Sequence, residues 1–136
     1  MRTLAEVTQA TGFEVLEHLE AEAAVPVIGG LQAQGDLLVV PMPAGEMTGP
    51  VPVPAGGVAV IEAVGGGHEH RLFAGVPGSA VLGRPATSSA QAVGVLECTE
   101  PAYLLHPEHG AAGIAPGRYE LRRQREQAAE ERLVAD

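Results

Sequence analysis

Residues 92–106 read Ala92-Val93-Gly94-Val95-Leu96-Glu97-Cys98-Thr99-Glu100-Pro101-Ala102-Tyr103-Leu104-Leu105-His106. Two apolar runs, Ala92–Thr99 and Ala102–His106, are separated by a break too short to hold a helix. Proline cannot donate to a ladder, so one strand ends before Pro101 and the next begins after it. A connection this short joins antiparallel neighbours, because a parallel crossover needs a dozen or more residues.

The same punctuation recurs on both sides. Val25–Ile28, Asp36–Pro41, Gly57–Val64, Glu69–Phe73, Ser79–Leu82 and Arg118–Glu126 are further strand candidates, divided by Gly- and Pro-rich turns. The expected fold is mainly β: a small antiparallel β-barrel or sandwich with a short N-terminal helix. Pro50, Pro52 and Pro54 alternate with Val51 and Val53. On an extended chain their missing N–H groups share one side, which marks an edge strand or a polyproline-like loop.

Residues 1–23 differ from 24–136, and they are read as a helical extension ahead of a β domain. Thr3 with Glu6, and Thr11 with Glu14, each have capping-box spacing, and Thr11-Gly12 is the expected break. Leu4 and Val7, then Phe13, Leu16 and Leu19, recur at helical intervals. That second stripe either packs on its own domain or docks a sister subunit or partner.

At 136 residues the length fits one domain. Hydrophobic residues make up 46% of the chain but aromatics only 3%, so the core falls to Val, Leu, Ile and Ala. A small core of that kind leaves apolar surface, from which a homo-oligomer is expected. The formal charge is −9 and no lysine is present, which disfavours polyanions and anionic membranes. No segment has the length and hydropathy of a signal peptide or membrane span, so a soluble, cytoplasmic protein is expected. Cys98, the single cysteine, can form neither an intramolecular disulfide nor a multi-thiolate zinc site; it reads as a buried thiol.

Four of the five histidines fall in two pairs, His68-Glu69-His70 and His106-Pro107-Glu108-His109. Residues two apart on a strand share a face, so His68 and His70 can approach one ion. His106 and His109 can converge across a turn at Pro107. If the pairs meet, His68, His70, His106 and His109 form a candidate site for a divalent transition metal, with Glu108 or Glu69 placed as catalytic base and Glu108 the first choice. Gly65–Gly67 lacks the lysine-bearing pattern of a phosphate loop and reads as a hairpin loop.

Arg118, Arg122, Arg123 and Arg125 are half of the eight arginines, set among Glu120 and Glu126. Salt-bridged strands or a seam between subunits is the first reading. An RNA contact through Arg122, Arg123 and Arg125 is the other.

The stretches Gln34-Gly35-Asp36-Leu37-Leu38, Gly67-His68-Glu69-His70, His106-Pro107-Glu108-His109 and Pro116-Gly117-Arg118-Tyr119-Glu120-Leu121-Arg122-Arg123-Gln124-Arg125-Glu126 resemble a family of small bacterial proteins. The resemblance covers roughly residues 34–136, and it implies one compact unit without implying an activity. Similarity to the cupins is weaker. Their first motif wants a Glu about where Ala74 stands, and their second wants a His where Arg118 and Tyr119 follow Pro116-Gly117.

The leading expectation is thus a non-enzymatic, oligomeric assembly or interaction protein, contacting partners through Phe13, Leu16, Leu19, Arg122, Arg123 and Arg125. The alternatives are a histidine-cluster metal protein, with or without enzymatic activity, and an RNA-binding module.

Overall fold

The computed structural model describes residues 2–12, 24–42, 47–61, 69–85 and 92–123. The expectations placed on Phe13, Leu16, Leu19, Gly65–Gly67, His68 and Arg125 lie outside the described residues.

One helix and eleven strands follow one another: α1 (Leu4–Thr11), β1 (Val27–Ile28), β2 (Gln32–Gln34), β3 (Leu37–Pro41), β4 (Met47–Pro52), β5 (Val58–Ile61), β6 (His70–Ala74), β7 (Ala80–Pro85), β8 (Ala92–Cys98), β9 (Ala102–His106), β10 (Gly110–Ile114) and β11 (Gly117–Arg123). Five strands make one sheet in the order β1-β10-β9-β6-β5, and six make another in the order β2-β3-β11-β8-β7-β4. Pairing is antiparallel except between β1 and β10. Both sheets keep free edges, so of the two expected architectures this is the sandwich-like one rather than a closed barrel.

The core lies between the sheets. Ile61, Leu72, Ala102, Leu104 and Ile114 of the first sheet meet Leu37, Val39, Leu96, Cys98, Tyr119 and Leu121 of the second. These are alternate residues along their strands, as a one-faced core requires. β9 is buried at all five positions, because its other face is covered as well. Leu4 and Val7 of α1 pack there with Val25, Phe73, Tyr103 and Leu105.

Helix α1 starts where expected. Thr3 Oγ1 accepts from the Glu6 amide at 3.1 Å, and the Glu6 carboxylate accepts from the Thr3 amide at 2.9 Å. Gly12, at φ 75°, ends the helix in the left-handed conformation open to glycine.

β4 is an edge strand, as its prolines demand. The Val53 amide donates to Ala80 O on β7 at 3.0 Å, so the neighbouring Pro52 turns its missing donor toward the open edge. β2 and β10 were not among the strand candidates, and β4 was read only as an edge strand or a polyproline-like loop. Among the described residues, no helix is long and apolar enough to cross a membrane.

Candidate functional site

The sandwich core ends in polar side chains at one end. On β6 and β9 the inward-facing rows run Leu72–His70 and Leu104–His106, so the two histidines continue the core's own alternation. Both are buried. The β9–β10 turn brings His109 over them. The His106 ring lies 4.5 Å from that of His70 and 4.5 Å from that of His109, in the middle of the three. The outer rings are nearly parallel, 6.4 Å apart.

The second sheet contributes the β2–β3 hairpin, Gln34-Gly35-Asp36-Leu37. Gly35 has φ 60° and occupies the first central position of a two-residue turn, where the favoured primed turns need positive φ. A Cβ there would lie 2.8 Å from His109 Nε2, so glycine is also what lets that imidazole approach.

Gln34 fixes the chemistry of His70. Its side-chain amide donates to Leu104 O at 3.0 Å and to Gly110 O at 3.3 Å. Both N–H bonds are thereby used, so Gln34 Oε1 is the atom facing His70 Nδ1 at 2.9 Å, and Nδ1 carries the hydrogen. The other ring nitrogen, Nε2, lies 3.0 Å from Asp36 Oδ1. A carboxylate only accepts, so the contact is a hydrogen bond when a proton lies between the two atoms, and a cation at Nε2 would serve the same pair. Burial disfavours that proton most strongly. The Asp36 charge and hydrogen bond favour it, and the His109 and Arg123 charges oppose it. On balance His70 titrates below the ordinary imidazole range.

His106 is held differently. Its Nδ1 accepts from the amides of Glu108 at 3.0 Å and His109 at 3.2 Å, which shapes the turn. In the neutral ring the hydrogen is then on Nε2. One donor atom from each of His106, Glu108 and His109 lies within 4.8 Å of the others. Ligation through His106 would require surrendering the turn's two hydrogen bonds or the Nε2 proton, so proximity overstates its fitness as a ligand.

The arginines of β11 separate by face. Arg118 pairs with Glu97 at 3.2 Å and Arg122 with Glu120 at 2.8 Å, the salt-bridged arrangement read from the sequence. Arg123 lies opposite core residue Leu37 and alternates with Tyr119 and Leu121, so it shares the inner face at the histidine end. Cys98 is buried on the core side, and burial pushes its thiol up, the inert condition expected.

The structure thus gathers His70, His106, His109 and Glu108, and adds Gln34, Gly35 and Asp36, which were not read as site residues. Their sequence signal was the Gln34-Gly35-Asp36 element itself, legible as a turn without a destination. Fold and site define a class: a mainly antiparallel, sandwich-like β fold with a histidine–carboxylate cluster at one end. The chain belongs to the family of a domain of unknown function (DUF8820), which matches residues 33–124. That span includes every described residue of the cluster and leaves out α1. No curated protein and no solved structure gives a significant match.

Proposed function

We propose that this chain is a metal-binding β-sandwich whose ion lies between the β2–β3 and β9–β10 turns. The candidate ligands are His109 and Glu108, whose donor atoms lie within 4.8 Å of each other beside His106, with His70 Nε2 and Asp36, 3.0 Å apart, as the pair that would have to close on them. The observation carrying this reading is the Gln34–His70–Asp36 chain. A metal-ligating histidine commonly donates its far N–H to a carbonyl, carboxylate or water, which fixes the tautomer and aims the lone pair. Gln34 Oε1 is placed to do that for His70. Two ligands about 2.1 Å from one ion stand about 3.0–3.4 Å apart between right and tetrahedral angles. The His70 Nε2 to Asp36 Oδ1 distance of 3.0 Å falls in that interval.

In this reading His106 is a positioning residue, holding the turn that presents His109 and Glu108. Nitrogen and carboxylate donors without thiolate suit zinc, manganese, iron, cobalt or nickel in the divalent state. Such an ion would polarise a bound water or carbonyl.

The test is metal content per chain, by plasma mass spectrometry, after chelation and re-exposure to those five ions in turn. About one equivalent is expected in the native protein. The Asp36→Asn/His109→Ala variant changes only exposed positions and is expected to lose it while retaining the native circular dichroism. A native chain that takes up none of these ions, or a variant that retains a full equivalent, defeats the proposal.

A further inference from the structure

We propose that the site takes a small oxyanion, a phosphate- or carboxylate-bearing molecule, and that Arg123 anchors it; this rests on the metal reading above. Arg123 is exposed, and among the described residues it makes no ion pair, whereas Arg118 and Arg122 on the same strand each have a glutamate. Its register opposite Leu37 sets it on the inner face at the end of β3 that follows Asp36.

Structural economy does not explain a guanidinium there. The arginines that serve the sheet face the other way and are neutralised. Arg123 lies on the sheet face that leads to the histidine end, and its charge opposes protonation of His70. Formal charges indicate what completes the set. Arg123 and a divalent ion contribute +1 and +2, while Asp36 and Glu108 contribute −2, leaving +1 at this end of a chain whose net charge is −9. One monovalent oxyanion balances it. A guanidinium offers paired N–H donors that match two oxygens of a phosphate or carboxylate, while the ion accepts a further oxygen.

A polyanion fits less well. Among the described residues Arg122 and Arg123 point to opposite faces and so form no continuous basic row, and the acidic remainder of the chain repels a long phosphate backbone.

Inorganic phosphate and acetate, titrated separately into the metal-loaded full chain by calorimetry, are the probes, and whichever binds identifies the anionic group. Saturable binding is expected. Arg123→Gln should weaken it at least about tenfold, the scale of one charge-assisted contact, with metal content unchanged. Arg123→Lys should recover part of the loss, and Arg122→Gln should change nothing. Absence of binding of either anion to the native metal-loaded chain, or equal binding by Arg123→Gln, overturns the proposal. The same titration on chelated protein separates the two readings. Anion binding through Arg123 in a chain that takes no metal sinks the metal site and the ion's share in holding the anion, and leaves only the Arg123 anchor. Metal uptake without anion binding sinks the oxyanion alone.

Discussion

Gln34 does the work that a second-layer carboxylate does in many histidine sites, and it does so because its own amide has no spare hydrogen. Replacing it with leucine keeps most of the volume and removes the partners of Leu104 O, Gly110 O and His70 Nδ1 at once. Gln34→Leu is therefore expected to cost about 2 kcal/mol, read from urea denaturation, because buried polar groups lose their partners. It should also weaken metal binding about 10–100-fold, as loss of such outer partners does. A change below about 0.5 kcal/mol, within the range of ordinary surface substitutions, would mean that the His70 ring is held by packing alone. Titration of His70 gives a second expectation. Its folded pKa is lowered, so the unfolded chain takes up the proton first, and the stability due to the neutral ring is present above the unfolded value of about 6.5. In chelated protein that stability is lost as pH falls below 6.5 toward the folded value. Asp36 limits the loss, while His109 and Arg123 enlarge it. Urea midpoints measured between pH 8 and 5 should show this acid-side slope, and His70→Gln should flatten it; equal slopes would place the titration elsewhere. The approach of His106 to His109 was legible in the sequence as a pair converging across the turn at Pro107, whereas the reading that joined His68 to His70 lies outside the described residues. Gln34 and Asp36 were not legible, since each meets His70 across more than thirty residues, and only the packing of two sheets brings those positions together.

At the scale of elements, the strands read correctly were those in which β-branched and leucine side chains repay pairing by packing. β2 is Gln-Ala-Gln, β4 contains two prolines and a glycine, and β10 is Gly-Ala-Ala-Gly-Ile. None has strong strand character of its own. Each forms because a stronger neighbour supplies its ladder: β3 for β2, β7 for β4 and β9 for β10. Helix α1 was easier to read, since a capping box and a terminal glycine are local devices. Choosing between barrel and sandwich was beyond local patterns, because closure depends on whether terminal strands pair, a long-range property of register. β4 permits a direct test of edge protection. Its Pro52 faces the open side, so Pro50→Thr/Pro52→Thr would restore donors to an exposed strand end where Val51 is already 61% exposed. The variant is expected to remain folded but to show a larger, concentration-dependent mass in light scattering. An unchanged mass at all concentrations would mean that the prolines serve the local bend in β4 rather than its solubility.

For the molecule as a whole, the position of the cluster matters as much as its chemistry. Asp36 and Gln34 belong to the six-stranded sheet, whereas His70, Glu108 and His109 come from β6 and the β9–β10 turn of the five-stranded sheet. Between these sheets lies a core built with few aromatics, so each buried residue contributes comparatively little area. An ion ligated from both sides would tie the sheets together at the end where that core gives way to polar groups. Because the unfolded chain does not hold those ligands in place, binding should appear as global stability. At a free metal concentration one hundred times the dissociation constant, the gain is about 2.7 kcal/mol. For a domain of this size that corresponds to a rise in melting temperature of about 10 °C. Scanning calorimetry should show the native transition moving upward as one peak with added metal, and the Asp36→Asn/His109→Ala protein should not move. If the peak split, with only part of the heat shifting, the ion would be stabilising one turn and not the sandwich. The β2–β3 and β9–β10 turns would then have to be treated as separate sites.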